Sequence, residues 1–184
     1  GRAGSAREAE AAALAVAGIS KVDTAGADSQ RTDIWLQASN GFSGGYARTG
    51  QSVVCVAISG EGLEMERDYA FDSRIHAADM MTPAEIGALA AERTLARAGA
   101  VQPKTGAFPV MYDERVASGL IGHLLSAVNG QAIARGSSWA RDLMGEAVLP
   151  EALSVIEEPL RPRVQGSRPF DAEGLATQAR EIVA

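Results

Sequence analysis

The sequence predicts an α+β fold: an antiparallel sheet flanked by helices, followed by the beginning of a second α+β or β-rich domain. Three observations carry this prediction: residues 63–71 alternate strictly, residues 52–58 are apolar on both faces, and two capping-box sequences begin helices. With 184 residues, 46% of them hydrophobic, the chain can bury a substantial core. A folded globular protein is therefore expected rather than a disordered one.

The first sixty residues predict a helix, two strands and the turn between the strands. Ser5-Ala-Arg-Glu8 is a capping box, and the alanine-rich run after it ends at Gly18. After a polar stretch, residues 33–38 alternate as a strand does. The glycine-dense segment 40–45 is expected to reverse the chain. Residues 52–58 then predict a central strand that is covered on both faces.

A second strand pattern and a second helix follow. In residues 63–71 the large apolar side chains fall on one face and the acidic ones on the other, which predicts a half-exposed antiparallel strand with an acidic outer face. Thr82-Pro-Ala-Glu85 is a capping box with proline at the first helical position. The connector after this helix predicts a boundary between a central domain, residues 1–102, and the N-terminal part of a C-terminal domain, residues 103–184.

The second segment predicts a strand at 108–112, a helix at 113–128, a strand at 153–157 and a loop at 159–169. The helix has a broad apolar stripe, and the opposite face holds Gly119, Gly122, His123 and Ser126.

The two glycines on this helix require an explanation, because glycine inside a helix costs roughly 1 kcal/mol relative to alanine. Close approach of a partner helix or a substrate strand would explain them. Tight packing within the same domain would explain them equally well, and the sequence leaves both interpretations open.

The sequence contains no complete catalytic or metal-binding motif. A zinc-protease helix needs two histidines and a catalytic glutamate, but no second histidine, acid or cysteine follows His123 within two turns. His76 has no ligand pair, and Cys55 lies in an apolar strand rather than an electropositive cleft. We therefore predict no catalytic residue and no metal ligand in this chain.

A second candidate surface is the loop Gly166-Ser-Arg-Pro-Phe-Asp-Ala-Glu-Gly174. Its glycines bracket Arg168, Asp171 and Glu173, with Phe170 as an apolar anchor. An acid can pair with Arg168 and fix the loop. Alternatively, the loop lines a groove in which peptide backbone is held.

Composition limits the compartment and the partners. A single cysteine and the absence of any apolar run near 20 residues predict a cytoplasmic protein without a membrane segment. A net charge of −6 argues against nucleic acid as a partner. Only Lys21 and Lys104 of the 17 basic residues are lysines. Such a bias towards arginine suits carboxylate recognition, or it reflects a genome of high GC content.

Seven short motifs occur in order along nearly the whole chain: Ser39-Asn-Gly-Phe-Ser-Gly-Gly-Tyr46, Glu66-Arg-Asp-Tyr69, Ala91-Glu-Arg-Thr94, Lys104-Thr-Gly106, Leu120-Ile-Gly-His-Leu124, Ala134-Arg-Gly-Ser-Ser138 and Gly166-Ser-Arg-Pro-Phe-Asp-Ala-Glu-Gly174. With these motifs the chain resembles the TldD/PmbA family, also called modulators of DNA gyrase, and specifically its PmbA (TldE) branch. The last three motifs are the most specific.

The resemblance implies a cytoplasmic, zinc-dependent peptidase of two related subunits, which processes peptide precursors and degrades unfolded polypeptides. In the family the TldD-type subunit carries a His-Glu-x-x-x-His helix and the PmbA-type subunit lacks it. Here Leu124 follows His123, and Val128 stands five residues on. The resemblance thus implies a non-catalytic subunit, with zinc in a TldD-like protease partner, and an internal fragment of a longer protein.

The alternative function is a self-associating peptide- or protein-binding module, such as a homodimer, without enzymatic activity of its own. Direct action on gyrase or DNA is opposed by the net charge. The residues predicted to face a partner or substrate are Gly119, Gly122, His123, Ser126, Arg168, Asp171 and Glu173.

Overall fold

The computed structural model describes residues 1–183, which divide into two compact units. The first unit comprises Gly1–Val101 and Glu158–Ala179, and the second comprises Gln102–Glu157 and residues 180–183. Helices and antiparallel strands are both present, so the α+β prediction is confirmed. The predicted domain boundary at residue 102 stays a prediction. Segment 158–179 packs with the first unit although it follows most of the second unit along the chain.

The first unit is a three-stranded antiparallel sheet with two helices on one face. The strands, in the spatial order β1-β2-β3, are β1 (Ile19–Gln37), β2 (Ser43–Ser59) and β3 (Glu66–Arg74). The helices are α1 (Arg2–Leu14) and α2 (Pro83–Leu95). Single 3₁₀ turns at Gly62–Glu64 and Ala77–Asp79 flank β3.

Small side chains fill the core between the helices and the sheet. The buried cluster consists of Ala9, Ala13, Val53, Cys55, Ala57, Ala70, Ile86, Ala90 and Ala91. Because most of these side chains are short, the helices pack closely, and a Cβ added to Gly87 would collide with the carbonyl oxygen of Ala9. Burial also raises the pKa of the Cys55 thiol, which keeps it protonated near neutral pH.

The first strand begins much earlier than predicted. Residues 19–32 belong to β1, whereas the polar sequence predicted no regular structure before residue 33. The pairing runs without a break from Thr24 opposite Val56 to Gln37 opposite Ser43. Because β1 is an edge strand of this sheet, it tolerates polar side chains. Its hydrogen bonds to β2, rather than its own pattern of polar and apolar residues, determine that it is a strand.

The orientation predicted for β3 is wrong. Asp68, Ala70 and Asp72 face the helices and are buried, whereas Tyr69 and Phe71 are about half exposed on the other side. Only small or hydrogen-bonded side chains fit beneath the closely packed α2. Asp72 is satisfied there, because it accepts a hydrogen bond from the Met81 N–H at 2.8 Å and pairs with Arg74 at 2.9 Å.

The strand prediction for residues 52–58 is confirmed, but the helices cover only one face of β2. Val53, Cys55 and Ala57 are buried against them, while Val54, Val56 and Ile58 are partly exposed. On that outer face Val54 lies opposite Phe71 and Val56 opposite Tyr69. The outer apolar face is thus formed by cross-strand pairs.

One predicted helix start is confirmed and the other is wrong. At α2 the Thr82 hydroxyl accepts from the Glu85 N–H, and the Glu85 carboxylate accepts from the Thr82 N–H at 2.7 Å. This contact with Thr82 lowers the pKa of Glu85. In contrast, α1 begins at Arg2 without a side-chain cap, so Ser5 lies inside the helix. Its alanine-rich sequence extends the helix beyond the capping box.

Thr94, which is fully buried, connects α2 to β2 and β3. Its hydroxyl oxygen lies 2.8 Å from the Ala90 carbonyl oxygen and 3.2 Å from that of Ala57, and it accepts from the Asp68 N–H at 3.2 Å. Thr94→Val removes these bonds with little change of shape, so we expect the free energy of unfolding to fall by about 1–3 kcal/mol. Urea denaturation measures the change. Thr94→Ser keeps the hydroxyl and serves as the control; equal stability of the valine variant and the wild type would contradict this role.

The second unit contains two helices and a two-stranded antiparallel sheet. They are α3 (Glu114–Ala127), α4 (Gly130–Ala134), β4 (Val155–Glu157) and β5 (Arg180–Val183). The predicted helix and the strand near residue 155 are confirmed. The strand predicted at 108–112 is wrong, since that segment has no regular structure and pairs with no strand among the described residues. Its apolar side chains are more than half exposed.

Candidate functional site

The four predicted residues of α3 lie on one helix face, because they are spaced by three and four positions. Outside the helix backbone and the adjacent residues, no atom of residues 1–183 lies within 4 Å of a Cβ built on Gly119 or Gly122. His123 and Ser126 are exposed, and the Ser126 hydroxyl donates to the Gly122 carbonyl at 2.9 Å. We call Gly119, Gly122, His123 and Ser126 the bare face of α3. No packing inside the described residues explains its glycines.

The apolar stripe of the same helix is also largely uncovered. Leu124 is buried, but Val116, Leu120 and Leu125 are between two fifths and three fifths exposed. Ser138 fixes the C-terminal end of the helix, because its hydroxyl donates to the Ala127 carbonyl and accepts from the Ala140 N–H. The helix is therefore held in place while most of its surface stays accessible in this chain.

The donor set on α3 does not fit a zinc site. Ser126 and Ala127 occupy the positions one turn after His123, and neither supplies a zinc ligand. Across residues 1–183 no three His, Cys, Asp or Glu side chains are grouped so that they can hold a metal ion.

The predicted loop residues belong to the first unit and form a separate surface. Asp171 accepts hydrogen bonds from the N–H groups of Glu173 and Leu175, both at 2.9 Å, which closes the loop. This carboxylate therefore fixes the loop through backbone amides, not through the ion pair with Arg168 that the sequence suggested. The Glu173 side chain is exposed. The backbone carbonyl of Glu173 accepts a hydrogen bond from the Asn40 side-chain amide at 3.1 Å.

An aromatic cluster joins this loop to the tip of the β1–β2 hairpin. The ring centroid of Phe170 lies 4.8 Å from that of Phe42 and 5.3 Å from that of Tyr46. The Arg48 guanidinium stacks 5.5 Å from the Tyr46 ring centroid and donates to the Ser167 carbonyl. Gly174, at φ 84°, lies against the Phe42 ring so closely that an added Cβ would overlap it. The motifs at 39–46 and 166–174 are thus one structural feature.

The sequence alone does not identify Phe42, Tyr46 and Arg48 as part of a surface. The only signal in the sequence is that two glycine-containing motifs each contain aromatic residues. Their spacing does not indicate that segments separated by more than a hundred residues meet.

Asp171→Ala is expected to loosen the loop, because two backbone N–H groups lose their acceptor. Trypsin should then cut faster after Arg163, since Arg161 and Arg168 are each followed by a proline, which blocks cleavage. Limited proteolysis followed by mass spectrometry measures the rate at this site. Glu173→Ala is the matched control, since only the backbone of that residue is used; equal rates for both variants and wild type would contradict the role of Asp171.

Two family models match the chain. Residues 4–98 match the PmbA/TldA metallopeptidase central domain, and residues 105–184 match the PmbA/TldA metallopeptidase C-terminal domain. The chain belongs to the PmbA/TldD metallopeptidase family.

Similarity to individual PmbA/TldD proteins agrees with this assignment. Metalloprotease PmbA of Escherichia coli O157:H7 is 37% identical over 145 residues, or 79% of this chain. A Metalloprotease PmbA homolog of Haemophilus influenzae is 33% identical over the same share.

A solved structure has the same fold. A proposed modulator of DNA gyrase from Bacteroides thetaiotaomicron superposes with a TM-score of 0.90 at 27% identity, over 98% of this chain and 41% of that protein. The two curated relatives are covered over only 32% of their length. The chain thus spans about a third of the length of those relatives.

None of the helices in residues 1–183 is both long and apolar enough to cross a membrane.

Proposed function

We propose that this chain is part of a PmbA-type subunit that is non-catalytic itself and completes a metallopeptidase together with a TldD-type subunit. The observation that supports the proposal is the bare face of α3. In the catalytic branch of the family this helix carries the His-Glu-x-x-x-His motif, whereas here Leu124 follows His123 and Val128 stands five residues on, and the rest of the face offers two glycines and a serine. We further propose that zinc resides in the partner subunit.

Glycine explains what the bare face can do. Without Cβ atoms, Gly119 and Gly122 allow another backbone to approach α3 more closely than any other residue type permits. Such an approach would offset their helix-propensity cost of roughly 1 kcal/mol each. Space is open at both positions. The proposed role of the face is therefore contact with the TldD-type partner or with a substrate strand beside the partner's active site.

The proposed substrates are peptide precursors and flexible or unfolded polypeptides. The half-exposed stripe of Val116, Leu120 and Leu125 supports this choice, because unfolded chains present apolar side chains that such a surface can bind. This chain would contribute binding surface, and the partner subunit would contribute the reacting groups.

Co-purification tests the proposal. The full-length PmbA-type subunit and a TldD-type subunit are co-expressed with a tag on only one of them, and light scattering measures the mass of the eluted complex. We expect a stable hetero-oligomer. A homodimer without partner would favour the self-associating module instead. Tightly bound zinc at one ion per PmbA-type chain, lost in His123→Ala, would contradict the assignment as the subunit without zinc.

A further inference from the structure

A cleft in the first unit lies between the β1–β2 hairpin and the proline-rich segment 159–169. Its volume is about 440 Å³, which falls within the range of roughly 300–1,000 Å³ typical of ligand clefts. Tyr46 and Arg48 line it from the hairpin, and Ile75 and His76 line it from the segment after β3. This cleft contains none of the bare face of α3.

Positive charge is concentrated in this cleft although the chain as a whole is acidic. The arginines that line it are Arg31, Arg48, Arg161, Arg163 and Arg168. Three of them pair with carboxylates: Arg31 with Asp33 at 3.0 Å, Arg163 with Asp79 at 2.7 Å and Arg161 with Glu158 at 3.8 Å. Five arginines against three carboxylates leave an excess of two positive charges.

The two arginines without a carboxylate partner are Arg48 and Arg168, counted within residues 1–183. Arg48 donates to the Ser167 carbonyl and stacks on Tyr46, so part of its guanidinium fork is held in a fixed direction. Arg168 is exposed, and its backbone N–H donates to the Pro159 carbonyl at 2.8 Å. Its backbone is therefore anchored while its guanidinium is available.

Three prolines and two aliphatic side chains of the segment 159–169 also line the cleft. Pro159, Pro162 and Pro169 have no N–H group, so a bound chain cannot pair with them as a β-strand does. Leu160 and Val164 add exposed apolar surface. On this side of the cleft the groups available for recognition are arginine forks, which match planar carboxylates, together with apolar surface.

We propose that this cleft binds an acidic peptide segment through its side-chain carboxylates, with Arg48 and Arg168 as the recognising groups. Nucleic acid fits less well, because two unpaired cations on a chain of net charge −6 cannot neutralise a run of phosphates. The proposal goes beyond the peptidase assignment: it concerns binding to this chain alone and is measured without any cleavage.

The test is fluorescence anisotropy with three labelled probes and the purified chain. The probes are an octapeptide with two glutamates among alanines and prolines, its glutamine counterpart, and a single-stranded DNA of eight nucleotides. We expect the glutamate peptide to bind about tenfold more tightly than the glutamine peptide, as two charge-assisted contacts imply, and its affinity to fall with salt.

Arg168→Gln is expected to weaken binding of the glutamate peptide about fivefold or more, because one charge-assisted contact is lost. Arg7→Gln on α1 is the matched control and should leave the affinity unchanged. Circular dichroism confirms that both variants fold. The proposal is overturned if no peptide binds, if both peptides bind equally, if the DNA binds more tightly than the glutamate peptide, or if the folded Arg168 variant keeps the wild-type affinity.

Discussion

Gly87→Leu is expected to unfold the first unit or to destabilise it by about 3 kcal/mol or more, at or beyond the upper end of typical overpacking costs. A Cβ at this position would collide with the Ala9 carbonyl oxygen, and the Ala12 Cβ lies 3.1 Å away. The obstacle is the backbone of α1, which cannot rotate aside as a side chain can. Relief therefore requires the two helices to separate, and this exposes the core that they share with the sheet. Urea denaturation followed by circular dichroism measures the loss.

The matched control is the same substitution at Gly122, which also lies inside a helix but faces open space. Both changes raise intrinsic helix propensity by something under ~1 kcal/mol, so a difference between them isolates packing. Similar stabilities for the two variants would show that α1 and α2 are not in the close contact described here.

Gly122→Leu in the full-length subunit is expected to abolish association with the TldD-type partner, or cleavage by the complex, without loss of folding. The added side chain would occupy the space through which another backbone approaches the bare face of α3. In the 184-residue chain the same change should leave thermal stability unchanged or slightly higher, because the gain in helix propensity meets no steric cost.

Gly122→Ala is the control for side-chain size, since it gives nearly the same gain in propensity with a single methyl group. Pull-down yield, peptide cleavage by the complex and melting temperature are compared for the two variants. If Gly122→Leu unfolds the chain, the face is internal packing after all. If it folds, binds the partner and supports cleavage as well as the wild type does, the bare face contacts neither partner nor substrate.

Much of the first unit could be predicted because its signals are local. The capping box at Thr82 identifies the start of α2, and the glycine-dense segment 40–45 identifies the hairpin. The first half of β1 could not be predicted, because Asp28, Ser29 and Gln30 are polar and the strand depends on pairing with β2. Local pattern fails wherever hydrogen bonds to a distant segment decide the conformation.

The orientation of β3 shows a second limit. Alternation correctly indicated a strand, but the assumption that large apolar side chains face the core put Tyr69 and Phe71 on the wrong side. The close approach of α2 determines which face of β3 points inward. In the sequence, only the short side chains of the core indicate this approach. Similarly, apolar content alone predicted a strand at 108–112, where Val110 and Met111 have no strand to pair with in the described chain.

The candidate site was predictable in part. Helical spacing alone places Gly119, Gly122, His123 and Ser126 on one face, and the structure adds that this face is open. The predicted loop at 166–174 exists, but its attachment to Phe42 depends on contacts between distant segments. The arginine cleft could not be predicted from composition, because a genome of high GC content also explains the bias towards arginine.

The most direct test of the account is cleavage of an unstructured fluorogenic peptide by the full-length PmbA-type subunit, by a TldD-type subunit and by their mixture, with and without a zinc chelator. We predict cleavage only in the mixture, and its loss when zinc is removed. Cleavage by the PmbA-type subunit alone, or an equal rate for the TldD-type subunit with and without it, would contradict the assignment as a non-catalytic subunit that completes the peptidase.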